Sequence, residues 1–441
     1  MHGPSRAAEA LRQMGCDCDT QIGPWTSESL EGVDLVIIPL ASVNRPSFLV
    51  SEIAALVSYV DRGGGLLVMT DAANRNYHNH ALGALFDSVG MQLSDCVVCE
   101  PTHLRLGDRA SWIRLGTFSD HPMLRGIENM CMLDAGVVEA RYGVVWSSKE
   151  SWGDIGSTQS YALRDQGKTP GDGQPQPSEP KGPMAVVAAR AFGRGRIVVL
   201  ADPDFVGSTF LNYADHRRFW LQASLWCAIK SHDGVSTGSE SSDRDWAANA
   251  GALVERGLAG ESGRTKIWCY EPLKVQEHYW GDPAPSGMFH AFAMLNRYAD
   301  ARSTDRPWLD AEWLILPDAV LLDRDDVAEQ AIAFAAQPGR RLAILCDKEL
   351  APCLQTIERK FTNAKPPKTS PGGWVTQELP RGSQVVLIPN RSAWANQTVP
   401  SPEKPLNSAD RASEQQRMGW LIEGGLLPVP SVDDRVLWPD D

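Results

Sequence analysis

Long apolar runs are missing from this sequence of 441 residues. The longest, such as Leu35–Leu40 and Ile197–Ala201, are strand-length and fall far short of the ~20 residues that cross a bilayer, so no membrane span is expected. An excess of basic residues is also missing. Lys and Arg total 42 against 55 Asp and Glu, a net charge of −13. Phosphate contacts need clustered cations, so nucleic acid is excluded as a general partner. The nine cysteines form no paired framework. Cys16-x-Cys18 and Cys96-x-x-Cys99 lack a second ligand pair at finger-like spacing, so no metal is expected. Met1-His2-Gly3-Pro4-Ser5-Arg6 leads into an amphipathic stretch without the look of a signal peptide. The expectation is a cytoplasmic protein.

Catalytic signatures are scarce too. Gly63-Gly64-Gly65 ends a helix-like segment and lacks the Lys-Ser/Thr of a phosphate loop, and Gly207-Ser208-Thr209 lacks the second glycine of a nucleophile elbow. No histidine follows His290.

What is present is ordinary globular composition, 43% hydrophobic and 22% charged. The length suggests two domains. In the first half the spacing predicts helices over 6–14, 51–60, 80–89 and 215–229, and buried strands over 33–40 and 66–70. Further strands are expected near 91–99 and 136–147, with a hairpin over 185–189 and 196–201 turned by Phe192-Gly193-Arg194-Gly195. That rhythm predicts a mostly parallel sheet. Arg164–Pro183, rich in Gly, Pro, Gln and Ser, reads as a mobile loop, and Ser231–Thr265 as a linker holding one short helix near 245–257. The expected domains are therefore 1–230 and 265–441, joined by 231–264.

The second half repeats the plan, with strands at 266–270, 312–316, 341–346, 374–378 and 384–388 and helices at 288–298, 325–336, 349–361 and 413–423. Val33-Asp34-Leu35-Val36-Ile37-Ile38-Pro39 matches Ala311-Glu312-Trp313-Leu314-Ile315-Leu316-Pro317, and Gly65–Asp71 matches Arg341–Asp347. Pro39 to Asp71 spans 32 residues and Pro317 to Asp347 spans 30. The agreement points to a duplicated fold.

Two segments carry a family resemblance. Tyr59-Val60-Asp61-Arg62-Gly63-Gly64-Gly65-Leu66-Leu67-Val68 resembles the helix–GG–strand stretch of class I glutamine amidotransferase-like domains. Gly193-Arg194-Gly195-Arg196-Ile197-Val198-Val199-Leu200-Ala201-Asp202-Pro203-Asp204-Phe205 looks like the signature of the gliding-motility, intraflagellar-transport and ThuA-like branch. His2-Gly3 is similar to the HG that follows that branch's first strand. The resemblance covers most of residues 1–230; the second half is similar in outline only. It implies two flavodoxin-like (α/β, three-layer) domains with mostly parallel sheets. It also implies a first strand before His2-Gly3: either its place in the sheet is filled otherwise, or the start lies further upstream.

An active member of that superfamily places a cysteine at a strand end, activated by a downstream histidine. The first half has Thr70-Asp71-Ala72 there. The second has Cys346, with no histidine after it and with Asp347 and Glu349 beside it, so Cys346 is expected to be a core cysteine. In parallel sheets ligands bind beyond the carboxyl ends of strands. That places Asp71, Asn74, Asn76, His78 and His80 beyond one end and Asp202, Asp204 and Asn212 beyond another. They are candidate ligand-binding groups; the plainer alternative is that Asp71 and Asp202 cap the next helices. Eight of fifteen tryptophans fall from Trp268 onward, which suggests packing against a partner. The expected function is a non-catalytic scaffold without cofactor, binding a partner protein or a glycan. The rival is a hydrolase of sugars or amides that uses Asp71, Asp202 and Asp204.

Overall fold

The computed structural model describes residues 5–39, 48–70, 78–94, 96–107, 109–154, 173–207, 210–229, 250–259, 263–273, 279–282, 287–346, 350–361, 364–369, 374–389 and 394. Two compact units divide the chain, Met1–Gly260 and Glu261–Asp441. No helix among the described residues is long and apolar enough to cross a membrane.

The first unit is built on a six-stranded sheet ordered Leu35–Ile38, Gly65–Met69, Gly195–Leu200, Ala185–Phe192, Gly143–Trp146, Thr117–Phe118. The first three run parallel and the rest antiparallel. The sheet is thus mixed, which corrects the mostly parallel expectation. An apolar run buried on both faces looks the same in sequence whichever way the strand points. Every residue of Gly65–Met69 and Gly195–Leu200 is buried, so both faces of the centre are covered. The helix His216–Ala228 contributes Phe219, Trp220, Ala223 and Cys227 to that cover.

Gly193 (φ 57°) turns the hairpin, and a Cβ on Gly195 would stand 2.2 Å from the Val60 and Gly64 carbonyl oxygens. Only glycine permits that approach. Smaller two-stranded ribbons pair Trp112–Leu115 with Met130–Leu133 and Val97–Cys99 with Trp152–Asp154.

Residues 250–258 are helical and pack on the first unit. Ala250 and Val254 join its core, Arg217 Nε donates to the Gly257 carbonyl at 3.1 Å, and Arg218 pairs with Glu255 at 3.0 Å. The described part of the expected mobile loop is anchored as well. Gly173 N–H donates to Asp154, Gly153 N–H to the Pro180 carbonyl, and Gly182 N–H to the Ser151 carbonyl. Backbone pairing holds a segment whose composition cannot bury itself. Residues 155–172 lie outside the described part.

The second unit holds a seven-stranded sheet ordered Asp300–Thr304, Lys266–Tyr270, Trp313–Leu316, Arg341–Leu345, Gln384–Ile388, Val375–Glu378, Lys368–Thr369. The first five are parallel. Counted along the chain their order is 2-1-3-4-5, a doubly wound arrangement. The predicted helix over 413–423 lies outside the described residues.

Candidate functional site

In the first unit the strand Gly65–Met69 ends at Thr70, whose N–H donates to the Leu200 carbonyl at 2.8 Å. Asp71, Asn74 and Asn76 lie outside the described residues. His78 and His80 fall in the first turn of the helix His78–Ser88, and their side chains lie outside the described part of it.

The next strand, Gly195–Leu200, leads to Asp202, which is completely buried. One carboxylate oxygen accepts from Leu133 N–H at 2.7 Å and the other from Asp204 N–H at 2.6 Å. Asp202 therefore opens the short 3-10 turn Asp204–Val206 and fastens it to Met130–Leu133. Asn212 is 3% exposed and accepts from Arg217 at 3.2 Å. Arg217 in turn donates to Gln13 at 2.8 Å, so Asn212 belongs to a structural ladder rather than to a cleft. Asp202 and Asn212 are placed in the fold's own polar framework.

Sequence reasoning missed two partners in that framework. Asp215 accepts from Glu128 and Asn129 N–H at 2.8 and 3.0 Å. His216, fully buried among Phe205, Phe210 and Tyr213, accepts from Cys131 N–H through Nε2 at 2.8 Å. Its Nδ1 then donates to the Phe210 carbonyl at 2.9 Å. That pattern needs the neutral ring, and burial pushes its pKa down to about 4. The amides of residues 128, 129, 131 and 133 are thus taken by side chains from the 202–216 segment, where a neighbouring strand would otherwise pair. The signal was the cluster of Asp202, Asp215 and His216 around a strand end, which sequence alone cannot tell from a catalytic set.

Asp204 is different. It is half-buried, and burial, reinforced by the charge of Asp134, raises its pKa to about 6. Asp134 has positive φ (52°) and accepts from Ser111 Oγ at 2.5 Å. A carboxyl whose pKa is raised toward neutrality by burial and by the charge of a second carboxylate is a feature shared with general acids. A third acid, Glu100, is wholly buried and accepts from Ser148 N–H and Oγ at 2.7 and 2.6 Å. Burial raises its pKa against those two bonds.

In the second unit the strand order changes direction at Lys266–Tyr270, where a doubly wound sheet opens its binding crevice. Glu271 stands there, fully buried, and accepts from Tyr279 N–H at 3.1 Å and Trp280 N–H at 3.0 Å. Trp280, also fully buried, donates its indole N–H to the Tyr270 carbonyl at 3.0 Å. The chain's own loop fills this position. Cys346 sits at the end of Arg341–Leu345, 1% exposed, its N–H donating to the Ile388 carbonyl at 2.9 Å and its Sγ 3.6 Å from the Ile344 carbonyl. Its counterpart in the first unit is Thr70, which makes the same backbone bond. Among the described residues no group of three His, Cys, Asp or Glu could hold a metal ion.

No family model and no curated protein matches the chain. Among solved structures, the mmIFT52 N-terminal domain is similar at 14% identity and TM-score 0.39, covering 52% of this chain and 91% of its own. A cytoplasmic protein from Salmonella typhimurium LT2 is similar at 14% identity and TM-score 0.32, covering 52% and 88%. A ThuA-like protein from Bacteroides uniformis is similar at 12% identity and TM-score 0.31, covering 51% and 85%. The likeness is distant, and the functional reading stands on the chain's own geometry.

Proposed function

We propose that the chain is a non-catalytic binding or scaffold protein, built of two degenerate amidotransferase-like, flavodoxin-like units and engaging a partner protein, with a glycan as the lesser alternative. The observation that supports it is the use of Asp202. A carboxylate that is completely buried, with both oxygens on backbone amides, serves the fold as a clasp between two backbone segments. Asp215, through one carboxylate oxygen, and His216, through Nε2, also accept from backbone amides. At the position of the superfamily nucleophile the two units carry a threonine and a buried cysteine.

Asp204 beside Asp134 favours a second reading, a hydrolase of a sugar or amide with Asp204 as proton donor. One experiment separates the two. The wild type and Asp204→Asn are assayed against chromogenic glycosides and anilides, and both are used as bait in the native host. The scaffold reading expects no turnover by either protein and equal recovery of bound partner. Turnover by the wild type that falls a hundredfold or more in Asp204→Asn would establish the hydrolase.

A further inference from the structure

We infer that Cys16 and Cys18 are a redox-sensitive pair, a dithiol that closes to an intramolecular disulfide by exchange with a small-molecule disulfide. The Cys16-x-Cys18 pattern has no part in the scaffold reading, and the two stand or fall separately.

Of the nine cysteines seven are buried; Cys16 is exposed and Cys18 half-buried. The helix Ser5–Met14 places them. It ends at Gly15, with φ 104°, and Cys16 N–H donates to the Leu11 carbonyl at 3.0 Å. This left-handed stop fixes residue 16 against the helix end and turns the chain back along it. Cys18 Sγ consequently stands 4.0 Å from the Ala8 carbonyl oxygen and 4.0 Å from that of Cys16. The second sulfur is folded onto residue 16 rather than carried away from it.

Closure asks little of the backbone. Two residues of fully extended chain span about 7 Å, and a disulfide joins Cα atoms up to about 6.8 Å apart. A slight bend suffices. Residues 16–22 belong to no helix or strand, so the bend breaks no ladder. Arg12 Nη2 donates to the Cys18 carbonyl at 3.2 Å in an exposed position, where water can replace it. Beneath, the helix stays fastened by buried Ala7, Ala10, Leu11 and Met14 and by the Trp220 indole, which donates to the Ala7 carbonyl at 3.0 Å. Cys96-x-x-Cys99 is the contrast. Both of its cysteines are buried, and Val97–Cys99 is paired with Trp152–Asp154, which denies access to a reagent and room to bend.

The surrounding charges set the rate. Burial, the Cys18 sulfur and Asp34 hold the Cys16 thiol above its ordinary value, opposed by Arg256, whose guanidinium donates to the Met14 carbonyl. Burial raises the Cys18 thiol as well, opposed by Arg12 and reinforced by Asp17, Asp19 and Glu9. At neutral pH both groups are therefore thiols. Exchange is slow there and gains about tenfold per pH unit below the thiol pKa. The same lack of thiolate stabilisation favours the disulfide once formed, because low-pKa pairs are the ones whose reduced form is held.

Cys16, the exposed member, reacts first. Its thiolate attacks one sulfur of R–S–S–R; a Cys16–S–S–R bond forms and R–S⁻ leaves, taking up the proton Cys16 lost. The Cys18 thiolate then attacks the Cys16 sulfur, and the second R–S⁻ leaves and takes up the proton from Cys18. The pair gives up two electrons and two protons, and one reagent disulfide becomes two thiols.

The test uses the whole chain, reduced, desalted and incubated with oxidised glutathione at pH 8. The intact mass should fall by two hydrogens per chain, and peptide mapping should place the bond between Cys16 and Cys18. The rate should drop about tenfold at pH 7. Cys18→Ser should stop at a stable glutathione adduct on Cys16, and Cys16→Ser should abolish the mass loss, with the urea midpoint of both variants unchanged. Four results would overturn the inference: a glutathione adduct that persists on wild-type Cys16, a disulfide to a buried cysteine, a covalent dimer that grows with protein concentration, or an unchanged mass after a day at pH 8.

Discussion

The two units solve one problem in different ways. Each has a strand whose neighbour on the outer side completes the parallel sheet. The second unit supplies that neighbour itself, as Lys266–Tyr270, and then closes the crevice beyond it with Glu271 and Trp280. Among the described residues of the first unit no strand pairs with the outer side of Leu35–Ile38, and the part of the chain between Met69 and Ala185 brings extra ribbons whose amides Asp202, Asp215 and His216 hold. The difference teaches that one three-strand frame can be extended by further strands of its own sheet or by ribbons fastened to it through buried side chains.

The sharpest test of the comparison sets Ile315→Pro beside Ile37→Pro. The first removes a ladder bond from a strand paired on both sides and is expected to cost about 3 kcal/mol or more. The second acts on a strand with no neighbour on its outer side among the described residues and should cost less than about 1 kcal/mol. Urea denaturation of each full-length variant reads both, and equal losses would mean that the first edge is also paired.

Asp202→Ala comes next. It strands two buried amides, Leu133 and Asp204 N–H, at an expected cost of about 2–4 kcal/mol, read as a lowered urea midpoint. A change below about 1 kcal/mol would refute its role as a clasp.

The clasp also predicts pH dependence. His216 is held neutral with a pKa of about 4, against an ordinary value near 6.5 in the unfolded chain. The unfolded state then binds the extra proton first, so stability is full above pH ~6.5 and falls as the pH drops toward 4. His121, also pushed down to about 4 by burial and then by Arg196, adds to the same slope. His216→Gln should flatten the slope relative to wild type across that window.

Asp204 has the opposite sign. Its folded pKa of about 6 lies above the ordinary carboxylate value, so its contribution is greatest at low pH and is lost as the pH rises from ~4 to ~6. Asp204→Asn should gain up to about 2 kcal/mol relative to wild type at pH 7 and little at pH 4, as read by paired thermal melts.

The smallest effect belongs to Cys346, at a strand end of the second unit. Cys346→Ser is expected to cost about 1 kcal/mol. Iodoacetamide at neutral pH should label Cys16 and Cys18 before any of the seven buried cysteines. Burial raises even those two thiols, so labelling should be slow, and rapid modification of Cys346 would contradict its place in the core.

Much of the frame was legible in the residues. Val33–Pro39 and Gly65–Thr70 stood out as buried runs bounded by turn signals, and their match to 311–317 and 341–346 anticipated a shared register. The ribbon strands 112–115 and 130–133 were not legible. They are short, and Met130–Leu133 is held by Asp202 and His216, which lie 69 and 85 residues beyond their partners Leu133 and Cys131. No local pattern announces a strand whose amides are satisfied from so far away. The candidate carboxylates were found because strand ends are where polar side chains collect. Their uses diverged because the Asp202 carboxylate is held by amides, whereas Asp204 is half-buried and feels the charge of Asp134.

By itself the sequence determined the apolar runs that must become central strands, the glycines that must turn the hairpin, and the absence of any histidine after Cys346. These are local matters of periodicity, backbone freedom and composition. The tertiary structure alone decided the direction of the strands and the burial of Asp202 and His216 among backbone amides. Each of those depends on which distant group satisfies a backbone hydrogen bond, and that is settled only when the chain has folded.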